Sequence, residues 1–318
     1  MKIVILDAYT LNPSDLSWEK IRSLGETTIY DYTPPHLTVE RSKNADILII
    51  NKVVISEEIL QQLPKLKFIA LTATGFNNID IRATQKRNIP VSNIRNYGTP
   101  AVAQHTFALL LALTNHVADH HQSVIDGQWQ QTRDFCFWNK PLIELHNKTM
   151  GIVGFGQIGQ KVAEIAKSFG MKIIAFQPSM KASFRNDILF TNDMKKLFSE
   201  SDIISLHCTL KAENQGFVNK KLLQCMRKTA YLINTARGAL INEKDLYEAL
   251  QNGTIAGAAL DVLCVEPPTK KNILFDAPNC IITPHNAWAS FESRSRMMDL
   301  LYENMMAFLA GKPKNLIV

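Results

Sequence analysis

Hydrophobic positions along this chain alternate between short unbroken runs and residues spaced three and four apart. Lys2 to Leu6, Thr27 to Tyr30, Ile47 to Ile50, Phe68 to Leu71 and Pro90 to Ser92 read as strands. Between them, Asp15 to Leu24, Val39 to Lys43 and a Ser56-capped stretch to about Leu63 read as helices. A boundary falls at Tyr97-Gly98-Thr99-Pro100, where Thr99 can cap and Pro100 suits a first helical position. One long helix is then predicted from Ala101 to about Val124, apolar over much of its circumference. From Thr149 the alternation resumes. Strands fall at 150–154, 172–176, 203–206, 230–234, 255–260 and 281–283, with helices at 157–169, 194–199, 220–226 and from the Asn242 cap to Leu250. Ser290 opens a terminal helix that stops at Gly311 and is expected to cross back onto the first half.

Strand–helix alternation of this kind implies parallel sheets, and the continuous run Ile47-Leu48-Ile49-Ile50 implies a strand covered on both faces. The expected fold class is α/β, with two Rossmann-like or flavodoxin-like domains and a cleft between them. A discontinuous substrate domain would span 1–98 plus 290–318, and a dinucleotide-binding domain 99–289.

Composition narrows the class. The 318 residues are 46% hydrophobic and 20% charged, as in a soluble globular protein. No run approaches the roughly 18 apolar residues of a membrane span. The first residues enter a strand pattern that Asp7 interrupts, so no signal segment is expected and the cytoplasm is the default compartment. The net charge of +6 is spread along the chain without a dense Lys/Arg tract, so neither nucleic acid nor a membrane is an expected partner. Five cysteines without a C-x-x-C pair suit reduced, structural thiols, Cys264 included. His116 and His120 have the spacing of a zinc pair but lack an acidic third ligand, and no metal is expected. Trp129, Phe135, Phe137 and Trp138 form an aromatic stretch that must bury against either a partner subunit or its own domain.

The chemistry begins at Gly154-Phe155-Gly156-Gln157-Ile158-Gly159, where a strand becomes a helix. Gly154 permits the tight turn, Gly156 lets backbone approach a pyrophosphate, and Gly159 lets helix pack on strand. The N–H groups that open the helix, at Gln157, Ile158 and Gly159, then face the phosphates. Ligands of such sheets sit beyond the carboxyl ends of the strands. There the sequence offers Cys208 and Thr209, then Thr235, Ala236 and Arg237, then Asp261 and Glu266, then His285. Hydride transfer to a 2-keto acid needs a fixed cation for carboxylate and carbonyl, a group that gives a proton near neutrality, and an acid to orient it. Arg237, His285 and Glu266 supply one of each.

These residues carry a resemblance. Gly154-x-Gly156-x-x-Gly159, Asn234-Thr235-Ala236-Arg237-Gly238, Asp261-Val262-x-x-x-Glu266-Pro267 and Thr283-Pro284-His285 resemble the D-isomer-specific 2-hydroxyacid dehydrogenase family over essentially the whole chain. Within it the chain is most similar to glycerate dehydrogenases, also called hydroxypyruvate reductases, through segments such as Ala73-Thr74-Gly75-Phe76-Asn77 and Val102-Ala103-Gln104-His105-Thr106-Phe107. The resemblance implies that Arg237 binds substrate, Glu266 supports the histidine and His285 is the acid/base. It also implies that Asp261 touches the nicotinamide end of the cofactor, that backbone N–H groups at Thr74 and Gly75 hold the substrate carboxylate, and that the protein is a homodimer. Hydroxypyruvate or glyoxylate is the expected substrate. Lys52 is a further residue that could face the cleft.

One position departs from the pattern. The residue after the second strand is normally an acid that accepts from the ribose hydroxyls, and here it is Gln177. Gln177 would not repel a 2′-phosphate, and Ser179 or Lys181 could bind one. The expected cofactor is therefore NAD with relaxed discrimination against NADP. Other readings stay open: a phosphoglycerate dehydrogenase, with no regulatory domain expected, and a dinucleotide-sensing, corepressor-like binding protein. A formate dehydrogenase fits poorly, because that pattern has Gln in place of Glu266.

Overall fold

The computed structural model describes residues 1–178 and 183–317. It divides into two compact units, Met1–Gly98 with Ala289–Val318, and Thr99–Trp288.

In the first unit, β1 (Lys2–Ile5), β2 (Glu26–Ile29), β3 (Ile47–Ile50), β4 (Phe68–Leu71) and β5 (Val91–Ser92) form a sheet ordered β2-β1-β3-β4-β5. All pairs are parallel. This is a doubly wound order that reverses between β1 and β3. Every residue of β3 and β4 is buried, as a strand sandwiched between helices must be. The covering helices are short: α1 (Glu19–Arg22), α2 (Thr38–Ser42), α3 (Glu57–Gln61) and α4 (Ile81–Lys86). Ser56 Oγ caps α3 and Asp80 caps α4. The apolar pattern does not announce α4, which has too few turns for a period to register.

The helix expected over Asp15 to Leu24 is reduced to Glu19–Arg22. Asn12 Oδ1 accepts from the amides of Ser14 and Leu16, and this Asx-type turn holds the segment out of helix. Asp15 is thereby free to meet an arginine from the far end of the sequence.

The second unit opens with two helices rather than the expected single one. His116 lies in the left-handed region at φ 50° and separates α5 (Thr99–Asn115) from α6 (Val117–Ile125). The His116 carbonyl accepts from both the amide and Nδ1 of His120, so the two rings do not converge as a ligand pair. The following stretch exposes Trp129 (50%), Phe135 (89%) and Trp138 (65%). It is clipped back to α6 where the Asn139 amide donates to His120 Nε2.

The remaining elements are β6 (Thr149–Val153), α7 (Gln157–Ser168), β7 (Lys172–Phe176), β8 (Ser183–Arg185), β9 (Ile188–Thr191), α8 (Met194–Glu200), β10 (Ile203–Leu206), α9 (Lys220–Leu223), β11 (Tyr231–Asn234), α10 (Glu243–Gln251), β12 (Gly257–Leu260) and β13 (Cys280–Ile282). The sheet runs β13-β12-β11-β10-β6-β7-β9-β8. Among the described residues only β8 is antiparallel in this sheet, paired with β9. Read outward from β6, this is the two-halved order of a dinucleotide fold, reversing between β6 and β10. The β8–β9 hairpin was not expected. Its turn, Asn186-Asp187, has both residues at positive φ, the turn chemistry that matches strand twist. One face of the sheet buries Leu197, Phe198, Leu206, Leu223 and Leu260. The other buries Phe107 and Leu110 of α5 with Ile152, Val162 and Ala259.

The terminal helix α11 (Phe291–Leu309) belongs to the first unit. Ser290 Oγ caps it, Phe308 stacks on Phe68 of β4 at 4.3 Å, and Arg294 forks onto both carboxylate oxygens of Asp15 at 2.7 and 2.6 Å. Among the described residues no helix is long and apolar enough to cross a membrane.

Candidate active site

The switch point of the larger sheet builds the cofactor cradle. Gly154 follows β6 at φ 100°, and a Cβ there would lie 2.5 Å from the Cys208 amide nitrogen, so the chain after β6 presses against the chain after β10. A side chain at Gly159 would meet the Gly154 carbonyl at 2.2 Å, which brings α7 close onto the turn. At Gly156 the same test finds nothing within 4 Å. Gly156 is the N-cap of α7, and among the described residues no side chain makes a capping hydrogen bond there. An open backbone face at the positive end of a twelve-residue helix fits a pyrophosphate. Gln177 follows β7 and donates its amide to Thr191 at the end of β9. Ser179 and Lys181 lie outside the described residues.

After β11 the chain is folded by Asn234, which is fully buried. Its Oδ1 accepts from the Ala236 amide and its Nδ2 donates to the Arg237 carbonyl. Thr235 Oγ1 sits 3.2 Å from Thr106 Oγ1 of α5. The Arg237 side chain is exposed. The next residue, Gly238, is packed so tightly that a Cβ would lie 2.0 Å from the carbonyl carbon of Leu263. The turn bearing Arg237 thus leans directly on the loop that leads to Glu266.

Glu266 and His285 meet. Glu266 Oε2 is 2.6 Å from His285 Nδ1, and Glu266 Oε1 accepts from the Leu263 amide at 2.8 Å. Burial pushes the Glu266 carboxyl up. The hydrogen bond and charge of His285, the Leu263 amide and the nearby Arg237 outweigh it and hold the group below the ordinary carboxylate value. Glu266 is therefore ionised at neutral pH. His285 itself sits at φ 52°, in the left-handed region. Its amide donates to the Asp261 carbonyl at 2.8 Å, and its carbonyl accepts from Trp288 Nε1 at 3.0 Å.

Asp261 has a different setting from the one its position after β12 suggests. Its side chain is 1% exposed. Oδ1 accepts from Thr283 Oγ1 at 2.6 Å and from the Asn286 amide at 3.0 Å, and Oδ2 accepts from the Ala287 amide at 2.9 Å. Three of about four acceptor positions of a carboxylate are taken. This residue holds the His285 loop in shape, a task the sequence reading did not foresee. Asn234 and Thr283 stand there only as members of motifs, with no task of their own. The Asx-turn habit of Asn234 was the one available signal.

Other groups near the strand ends are chemically quiet. Burial holds the His207 imidazole down at about 3, so it stays neutral and cannot serve as the acid near pH 7. Burial, with Glu243 beside it, pushes the Cys264 thiol up to about 12, and Cys264 stays a thiol. Burial also raises the Cys208 thiol. All five cysteines are free.

Arg237, Glu266, His285, Asp261 and the glycines all belong to the second unit. Thr74 and Gly75 follow β4 in the first, where Thr74 Oγ1 donates to the Ile94 carbonyl at 2.8 Å. Lys52 follows β3, and its amide, with those of Asn51 and Val53, donates to the Asp7 carboxylate.

Residues 107–287 match the model of the D-isomer specific 2-hydroxyacid dehydrogenase NAD-binding domain. The chain is 42% identical to a hydroxypyruvate reductase of Blautia hydrogenotrophica, over 100% of this chain and 99% of that protein. It is 39% identical to a glycerate dehydrogenase of Methylorubrum extorquens, over 99% and 98%. Among solved structures, an acyclic imino acid reductase in complex with NADPH and D-Arg is 34% identical, with a TM-score of 0.85 and 100% of both chains covered. On this evidence of motif, topology and likeness, the chain belongs to the D-isomer specific 2-hydroxyacid dehydrogenase family, NAD(P)-dependent oxidoreductases.

Proposed function

We propose that the protein reduces a small 2-keto acid, hydroxypyruvate or glyoxylate, to the D-2-hydroxy acid. The observation that carries the reading is the 2.6 Å Glu266–His285 pair with Arg237 close enough to lower the Glu266 carboxyl. Relatives named hydroxypyruvate reductase, glycerate dehydrogenase and glyoxylate reductase support the choice of substrate.

When bound, the nicotinamide supplies the hydride. Arg237 pairs with the substrate carboxylate and polarises the carbonyl. His285, with Nδ1–H directed to Glu266, gives the proton on Nε2 to the carbonyl oxygen. Glu266 fixes the orientation and tautomer of the ring. The backbone N–H groups of Thr74 and Gly75 are assigned to the substrate carboxylate. Gly154, Gly156, Gln157, Ile158 and Gly159 are assigned to the pyrophosphate. Gln177 is assigned to the ribose, and Cys208, Thr209, Thr235 and Ala236 to the walls of the cofactor site. The remaining acceptor position of Asp261 suits the carboxamide of the nicotinamide. Gln177 favours NAD with relaxed discrimination against NADP, a reading that the NADPH bound to the imino acid reductase supports.

The deciding experiment is oxidation of NADH and of NADPH against hydroxypyruvate, glyoxylate, pyruvate and phosphohydroxypyruvate. Turnover of the first two above the others is expected, and no turnover of any of them defeats the proposal. We further propose a homodimer in the cytoplasm. The exposed Trp129, Phe135 and Trp138 support a second copy as their cover. Light scattering on the purified protein tests the dimer, and a monomer at micromolar concentration overturns it.

A further inference from the structure

His105 stands on α5 in the Val102–Phe107 segment, with no task assigned to it so far, and its ring reaches the group that shapes the His285 loop. Its Nε2 is 3.1 Å from Thr283 Oγ1 and 3.5 Å from Asp261 Oδ1. The direction of the chain of hydrogen bonds follows from proton counting. Thr283 has one hydroxyl proton, and at 2.6 Å it is given to the Asp261 carboxylate. The same oxygen can then only accept from His105, so His105 carries its proton on Nε2. The sequence is His105 Nε2–H to Thr283 Oγ1, Thr283 O–H to Asp261 Oδ1, and then the Asn286 and Ala287 amides to the same carboxylate.

We infer that His105 is a positioning residue for proton transfer at His285. A carboxylate 1% exposed that accepts three hydrogen bonds cannot rotate without breaking them. Two of those bonds come from the amides directly after His285. A third contact, from the His285 amide to the Asp261 carbonyl, closes the loop on the other side. His285 is thus held at positive φ, a strained conformation for a side-chain-bearing residue, by bonds to Asp261 from its own amide and from the two amides after it, beside its contacts with Thr283, Glu266 and Trp288. His105 fixes the rotamer of Thr283 and, through it, that of Asp261. The support is rigid, because Ala103, Phe107 and Leu110 of the same helix are packed in the core against the sheet. The inference rests on the proposed role of His285, and its test has one arm that does not.

The experiment compares His105→Leu, which removes the donor, with His105→Gln, whose side-chain amide can restore it. For His105→Leu, kcat for keto acid reduction should fall about tenfold, the worth of one buried hydrogen bond to a polarised group, with KM near the wild-type value. His105→Gln should recover most of kcat. The Leu variant should be silent in a Thr283→Val background, because the two act through one chain. Independently of turnover, hydrogen exchange at the amides of Asn286 and Ala287 should quicken about tenfold in His105→Leu and return in His105→Gln. Wild-type kcat and wild-type exchange in His105→Leu overturn the inference. So does equal impairment of the Leu and Gln variants, which marks a packing role. If no keto acid is turned over at all, the proposed function fails while the exchange measurement still decides the part played by His105.

Discussion

The carboxylate of Glu266 lies 2.6 Å from Nδ1 of His285, which leaves Nε2 as the ring nitrogen that faces the chemistry. Glu266 is one-third exposed, so its effect is one of orientation and local charge rather than of deep burial. Replacing it by Gln keeps the shape and removes the charge. Keto acid reduction by Glu266→Gln should fall by about 10- to 100-fold in kcat/KM, the usual effect of losing a residue that orients a functional histidine. Steady-state kcat/KM of both proteins checks this, and equal values refute the pairing as functional.

Arg237 is exposed, and its Nη1 donates to its own chain at the Ala236 carbonyl. Arg237→Ala should leave NADH binding, read by fluorescence titration, within about twofold, and lower kcat/KM for the keto acid by about 10²–10³ as for loss of an electrostatic donor to the reacting group. Arg237→Lys should restore little, because a point charge does not reproduce the planar fork.

At Gln177 the change is the addition of a negative charge. Gln177→Asp should raise the NADH-to-NADPH ratio of kcat/KM by about tenfold, since a carboxylate accepts from ribose hydroxyls and repels a 2′-phosphate. An unchanged ratio would place discrimination elsewhere.

A fourth expectation concerns acid stability of the first unit. The hydrogen bonds from Arg294 hold the Asp15 carboxyl below its ordinary value. A carboxyl depressed in the folded state stabilises fully above the ordinary carboxylate range and loses that contribution as pH falls through the lowered value. Melting temperatures measured from pH 7 down to pH 3 should therefore decline less steeply for Asp15→Asn than for wild type, starting from a lower value at pH 7. Parallel curves would show that the pair contributes nothing.

Much of this was legible in the sequence, and the exceptions have physical reasons. The change of period at Gly154 to Gly159 places β6, the turn and α7, because burial on a sheet and burial along a helix demand different spacings. Arg237, Glu266 and His285 are legible because strand ends in such sheets converge. The break at His116 is not, since Leu113 and Val117 continue a helical period and only the backbone departs from it. The β8–β9 hairpin was signalled by Asn186-Asp187 before an apolar run, but the run is only four residues long. The clamp at Asp261 is the least legible. Its partners are backbone amides, which every residue owns, a threonine, and a histidine 178 positions from that threonine.

The stacking of Phe308 on Phe68 has a consequence for how the molecule is made. The face of β4 that Phe68 presents is completed by a helix lying at Phe291–Leu309, after the whole of the second unit. On the ribosome, Thr99–Trp288 can emerge and fold as a contiguous block while the strands before it still lack their last helix. The strands of the first unit are therefore translated before the second unit and completed after it. During that interval their apolar sheet face is the part of the nascent chain in greatest need of a chaperone.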